Sequence, residues 1–135
     1  MHLNYDCLRD VLLSLERNLS FVQDDYGLSF PEYSLQDLMS DPDVGCYLLD
    51  DVFYAVHNLA QAGYINASIG YDIGMTEYCS ISDITYEGHM FLRSIADETI
   101  WTEIKKRFGP VIRASLPIVQ QVASKCVLSH LGFSQ

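Results

Sequence analysis

Hydrophobic residues near the start of the chain recur with helical spacing. They are Leu8, Val11, Leu12, Leu15 and Leu19, at i, i+3, i+4, i+7 and i+11. This spacing places all of them on one face of a helix. Asn4 or Asp6 can serve as the N-cap. The pattern predicts a helix over residues 5–18.

The next segment, residues 20–33, has no helical period. It contains Gly27 and Pro31 and is predicted to be a loop with a short extended piece. A short helix follows, with Ser34 as its cap and an acid three residues later. Asp41 and Pro42 stop this helix, and residues 43–47 are predicted to form a turn.

A third helix is predicted over residues 47–62. Its expected buried stripe is Leu48, Leu49, Val52, Val56, Leu59 and Ala60. Gly63 supplies the left-handed exit that ends many helices.

Alternation then replaces helical spacing. Ile65, Ala67, Ile69 and Tyr71 alternate as in a half-buried strand. Tyr78, Ser80, Ser82 and Ile84 indicate the returning strand, with its register open. Thr85 is the expected cap of a fourth helix that carries Phe91, Leu92 and Ile95 on its apolar face.

Two further helices are predicted near the C-terminus. Thr99 is expected to cap the first, which contains Ile100, Trp101, Ile104 and Phe108. Ser115 is expected to cap the second, and its apolar face lies within residues 118–130. That face either packs back on the rest of the chain or pairs with a second copy in a homodimer.

The order of these elements is helix, short turn, hairpin, and a helix that opens on Ile84-Thr85 with Gly88. It resembles a winged helix-turn-helix. The predicted fold class is mainly α with a small β-hairpin (α+β). We predict a winged-helix-like core over residues 1–98 and a helical extension, packed on the core or used for dimerisation, over residues 99–135.

The charge distribution is not that of a typical DNA-binding protein. The 135 residues carry 8 Lys/Arg and 18 Asp/Glu, a net charge of −10. Residues 1–100 carry −14 and residues 101–135 carry +4, and residues 50–84 contain no Lys or Arg. An acidic body repels phosphate backbones and favours basic partners, although acidity also simply keeps a protein dispersed.

The four cysteines are widely spaced and form no C-x-x-C pair. This spacing indicates reduced, buried thiols in a cytoplasmic protein. The N-terminus lacks the basic and apolar regions of a signal peptide, and no apolar run approaches the length of a membrane span. We predict a cytoplasmic location and no membrane association.

Two stretches resemble a small family of uncharacterised bacterial and prophage proteins that share a domain of unknown function. They are residues 4–13, NYDCLRDVLL, and residues 83–92, DITYEGHMFL. The final amphipathic helix also resembles this family. The resemblance implies a phage or mobile-element setting and provides no catalytic residues.

The exposed face of the third helix is the first candidate binding surface. Tyr54, His57, Asn58 and Gln61 are its candidate contact residues. Asn58 and Gln61 could contact adenine, and His57 could contact a phosphate. Asp50 and Asp51 would repel the phosphate backbone of DNA. The alternatives are a solvated face or a face that meets protein.

The hairpin and the basic cluster are the other candidate surfaces. Tyr71 and Tyr78 either form a protein contact or only cover the hairpin face. Lys105, Lys106, Arg107 and Arg113 could touch nucleic acid or an acidic partner. Basic residues in the last turn of a helix also complement the helix dipole and stay solvated.

No metal-ligand spacing, nucleophile motif or phosphate loop is present. We therefore predict no cofactor, no metal and no enzymatic activity. The first functional hypothesis is a phage or mobile-element interaction module that binds a protein, with a basic, nucleic-acid-handling partner as one version. The second is a dimeric winged-helix repressor or antitoxin-like regulator. A small hydrolase or transferase is the third, without a supporting constellation.

Overall fold

The computed structural model describes residues 1–71 and 77–108, without the side chains of Tyr71, Glu77 and Phe108. Helix α1 spans Tyr5–Asn18, as predicted. The side chain of Asn4 caps it by accepting a hydrogen bond from the Cys7 amide at 3.0 Å. Leu8, Val11, Leu12 and Leu15 are fully buried, so the apolar face read from the sequence is the core face.

Residues 22–29 form a hairpin that the sequence pattern did not predict. Strand β1 spans Val22–Asp24 and pairs antiparallel with β2, Gly27–Ser29. Every side chain of both strands is exposed. Because the hairpin buries neither face, it carries no alternation of polar and apolar residues. The prediction of a loop with a short extended piece included extended backbone but missed the pairing of two strands.

A second segment links the hairpin to two short helices. Strand β3 spans Tyr33–Ser34, α2 spans Leu35–Met39 and α3 spans Pro42–Gly45. Ser34 and Asp37 form a reciprocal capping box at the start of α2. The predicted turn after residue 42 is partly helical, because Asp41 caps α3 and Pro42 occupies its first turn.

Helix α4 spans Leu49–Gln61 and packs against α1. Its end is a Schellman motif. The Tyr64 amide donates to the Leu59 carbonyl at 2.9 Å, and the Gly63 amide donates to the Ala60 carbonyl at 3.1 Å. Gly63 has φ +82, the left-handed conformation that was predicted for it.

Strands β4, Ile65–Tyr71, and β5, Glu77–Ile84, form the predicted antiparallel hairpin. With β3 they form a sheet in the order β3-β5-β4. An irregularity at Asn66/Ala67 shifts the register by one residue on β5. It allows both Ile81 and Ile84 to be buried, at 0 % and 9 % exposure.

Helices α5, Tyr86–Ile95, and α6, Glu98–Phe108, follow the sheet. The cap of α6 is Asp97, whose carboxylate accepts from the Ile100 amide at 3.1 Å. The predicted cap, Thr99, lies inside the helix. Six apolar side chains of these helices are buried: Phe91, Leu92, Ile95, Ile100, Trp101 and Ile104. The predicted last helix lies outside the described residues.

The architecture of the described residues is α+β, as predicted. The chain divides into two compact units, of which the first is Met1–Gly88 and the second begins at His89. In the first unit, α1 packs against α2, α3, α4 and β5. No helix among the described residues has the length and apolar character needed to cross a membrane.

Candidate functional site

Helix α4 begins without a capping side chain. Leu48 occupies the N-cap position and makes no side-chain cap hydrogen bond. Asp50 and Asp51 lie in the first turn, where the helix dipole favours negative charge. The beginning of α4 is therefore anionic by local design, and it does not offer side-chain cations to a phosphate.

Two leucines at the start of α4 are exposed. Leu48 is 73 % and Leu49 is 47 % exposed, so their prediction as buried residues was wrong. Leu48 has extended backbone (ψ 145) and precedes the helix, which removes it from the helical period. The buried stripe is Val52, Ala55, Val56 and Leu59.

The predicted contact residues of α4 differ in availability. His57 and Gln61 are exposed, and Tyr54 and Asn58 are half-buried. The rings of Tyr54 and His57 are stacked with centroids 6.3 Å apart. The Asn58 side-chain amide donates to the Tyr54 carbonyl at 2.8 Å. His57 and Gln61 thus form the accessible polar part of the face, with the Tyr54 ring beside His57.

The two predicted hairpin tyrosines lie on β4 and β5. Tyr78 is 48 % exposed and pairs with Gly70 across the hairpin. The side chain of Tyr71 lies outside the described residues. Tyr78, Ser80 and Ser82, which were read as one strand face, line a surface groove with Phe30 and Glu32. Sequence reasoning missed this groove because its residues come from separate segments.

The predicted basic cluster lies in the last turn of α6. Lys106 and Arg107 are exposed and Lys105 is half-buried. Arg107 approaches Glu103 at 3.7 Å, four residues earlier on the helix. Arg113 lies outside the described residues. The cluster belongs to the second unit, and α4 belongs to the first.

The first unit contains two arginines and no lysine, and one arginine is buried while the other is ion-paired. Residues 1–88 contain Arg9 and Arg17 against fifteen Asp/Glu, a net charge of −13. Arg9 is only 9 % exposed. Arg17 contacts Asp41 at 2.8 Å and Asp43 at 3.2 Å. Arg9 is therefore hardly accessible to a polyanion, and Arg17, although exposed, is already paired with two carboxylates.

The cysteines offer little nucleophilic chemistry among the described residues. Cys7 and Cys79 are buried, as predicted, whereas Cys46 is exposed because it follows α3 at the surface. Burial raises the pKa of the Cys7 thiol to about 12, with a further contribution from Asp51 and Asp10. At neutral pH this thiol is protonated and cannot act as a thiolate nucleophile.

The titratable side chains of the described residues form contacts but no metal site. Within residues 1–71 and 77–108, no group of three His, Cys, Asp or Glu residues could hold a metal ion. Asp10 accepts a hydrogen bond from the Tyr47 hydroxyl at 2.6 Å. Burial of the ring and the Asp10 carboxylate raise the pKa of Tyr47. This pair holds the segment before α4 against α1 and has a structural role.

Comparison with known proteins gives one informative match. No curated protein and no solved structure significantly matches the chain. Residues 2–109 match the family described as hypothetical protein (DUF2513), which covers most of the sequence. The chain therefore belongs to the DUF2513 family, whose function is unknown.

Proposed function

We propose that this protein is a non-enzymatic interaction module, associated with phage or mobile elements, that binds another protein through an acidic winged-helix-like scaffold. The order of elements supports this scaffold. Apart from the β1–β2 hairpin inserted after α1, the order is a helix, a strand, two short helices, a longer helix and a hairpin, and the sheet order is β3-β5-β4. In a winged helix, α4 would be the helix that is placed for a major groove.

The observation that carries the proposal is the charge of the first unit. The unit contains fifteen Asp/Glu and only two arginines. One of these arginines is buried and the other is ion-paired. Nucleic-acid affinity comes largely from Lys and Arg that replace counterions at phosphates. A scaffold that lacks such cations, and that places Asp50 and Asp51 at the start of α4, repels the polyanion that its shape would fit.

The exposed apolar residues at the start of α4 favour a protein partner. Leu48 and Leu49 lie beside Asp50, and His57 and Gln61 follow on the same helix. Apolar contacts surrounded by polar groups are typical of protein interfaces. Negative charge around them selects a positively charged partner and steers its approach. A basic, nucleic-acid-handling protein has this chemistry, because carboxylates can occupy sites that otherwise hold phosphates.

A dimeric DNA-binding regulator is the second candidate. It is favoured by the exposed Lys106 and Arg107 in α6, which could reach a phosphate backbone. The proposed homodimer through the predicted C-terminal helix, and the cytoplasmic location, remain predictions in either case.

Site-specific photo-crosslinking in the native host tests the proposal. A photoreactive amino acid at position 57 places the probe on the exposed face of α4. We expect an adduct that resists nuclease, is destroyed by protease and contains a protein with net positive charge. Mass spectrometry of the purified adduct identifies it.

The same probe at position 16 is the matched control. Glu16 is exposed on α1, so equal adducts from both positions indicate random collision. A nuclease-sensitive adduct at position 57, or none above the control, contradicts the proposal. The nuclease-sensitive result would favour the DNA-binding regulator.

A further inference from the structure

A groove lies on the outer face of the sheet, between two exposed aromatic rings. Phe30 and Tyr78 line it and are 57 % and 48 % exposed. Ser68 and Ser80, which pair across β4 and β5, contribute to its lining. Its volume is about 420 Å³. Small side chains at paired strand positions leave the space between the larger rings open.

The position of the Phe30 ring is supported from the hairpin. Its ring contacts that of Phe21, with centroids 5.1 Å apart. These two residues flank the β1–β2 hairpin, and such tilted ring pairs are favourable. Pro31 follows Phe30 and also lines the groove. The β1–β2 hairpin therefore helps to hold the Phe30 ring in place at the groove.

The charge around the groove indicates a cationic occupant. Glu32 lines the groove, and Asp24 and Asp25 lie at the turn of the β1–β2 hairpin, which precedes the groove residues in the sequence. The sequence contains no Lys or Arg from residue 18 to residue 92. A second copy of this chain would bring the same carboxylates to the contact and would be repelled. A basic segment would be attracted.

We propose that this groove binds an arginine- or lysine-containing extended segment of a protein partner. The cationic side chain lies between the Phe30 and Tyr78 rings, which attract cations through their faces. Its N–H groups donate to the Glu32 carboxylate and to the serine hydroxyls. The proposal rests on the proposed function in one respect, namely that the partner is a basic protein, and adds the surface that recognises it.

Fluorescence anisotropy with a defined probe tests the groove. The probe is a labelled short peptide that alternates arginine and leucine, titrated with the full chain at about 150 mM salt. We expect Phe30→Ser and Tyr78→Ser each to raise Kd about tenfold, because each removes one cation–π partner. Glu32→Gln should raise Kd by about fivefold.

Two variants control for general effects of charge and exposed rings. Glu16→Gln removes an exposed carboxylate of α1, and Tyr86→Ser removes a ring that is 74 % exposed but does not line the groove. Both should leave Kd within about twofold. Amide chemical shifts of Ser68, Ser80 and Ser82 should move on binding, which checks the site without any substitution.

Several results would overturn the proposal that the groove binds a basic segment. They are equal affinity in all variants, equal binding of a peptide with glutamate in place of arginine, and self-association of the chain that Phe30→Ser abolishes. If Leu48→Ser loses peptide binding while the groove variants bind fully, the groove is not the binding site. The proposed function would still hold in that case. No arginine-peptide binding together with duplex DNA binding would overturn both.

Discussion

Gly88→Ala is expected to destabilise the protein by about 3 kcal/mol or more. A Cβ at this position would overlap the backbone carbonyl oxygen of Tyr64 and lie 2.8 Å from Cγ2 of Ile84. At an ordinary helical position, the same substitution would stabilise the helix by up to about 1 kcal/mol. The expected sign is therefore opposite to that of helix propensity alone.

The Tyr64 carbonyl has little freedom to move away. It accepts the Thr85 amide at 3.0 Å, and the Thr85 hydroxyl donates to the Gly63 carbonyl at 2.6 Å. The same hydroxyl accepts from the Gly88 amide at 3.0 Å. Thr85 and Gly88 thus hold the start of α5 against the C-terminal end of α4. The absence of a side chain at Gly88 allows its backbone to lie close to the Tyr64 carbonyl.

Urea denaturation of Gly88→Ala and of Gly63→Ala measures this effect. Gly63 has φ +82, but a Cβ added there would meet no other atom within 4 Å, so Gly63→Ala should cost only about 1 kcal/mol. A Gly88→Ala protein as stable as the native chain, or less affected than Gly63→Ala, would show that the close approach is not present.

Asp41→Ala is expected to cost about 3 kcal/mol of stability. One oxygen of Asp41 accepts from the Ser14 hydroxyl at 2.6 Å, from Arg17 at 2.8 Å and from the Asn18 amide at 3.0 Å. The other oxygen caps α3 by accepting from the Asp43 amide at 3.0 Å. Removal of the carboxylate leaves the fully buried Ser14 hydroxyl without this partner and removes the hydrogen bonds that join the cap of α3 to α1.

The same carboxylate makes stability depend on acid. The Ser14 hydrogen bond is the largest of the interactions that lower the pKa of Asp41 from 3.8 to about 2. Because the pKa is lower in the folded chain, the stabilisation is complete above the unfolded value. It is lost as the pH falls from about 4 to about 2, with a loss of about 2 kcal/mol.

Urea midpoints between about pH 5 and pH 2 measure this contribution. Asp41→Asn should lack the Asp41 part of the loss, whereas Asp25→Asn, which changes net charge equally at an exposed turn, should retain it. An equally steep loss in Asp41→Asn and in the native chain would contradict the assignment.

The sequence predicted those parts of the fold whose side chains serve a local purpose. The face of α1, the capping box of Ser34 and the left-handed Gly63 each satisfy a local rule, and each is confirmed. The role of Gly88 depends instead on a residue that is distant in the sequence. Its partner, the Tyr64 carbonyl, lies 24 positions earlier and follows from packing.

The failures have a common cause in tertiary context. The β1–β2 hairpin exposes both faces, so no periodic signal marks it. Leu48 and Leu49 have the spacing of core residues but remain exposed. Asp41 and Pro42 stop α2 and also begin α3. The groove between Phe30 and Tyr78 arises only after these separate segments fold together.

The central claim is that the acidic first unit excludes polyanions, and a duplex titration tests it most directly. A labelled generic DNA duplex is mixed with the full chain at about 50 mM salt, where even non-specific binders associate strongly. We predict no saturable change in anisotropy up to about 100 µM protein, a concentration at which non-specific binding is ordinarily visible. Salt-sensitive binding that disappears when His57 and Gln61 are replaced by alanine would contradict the claim.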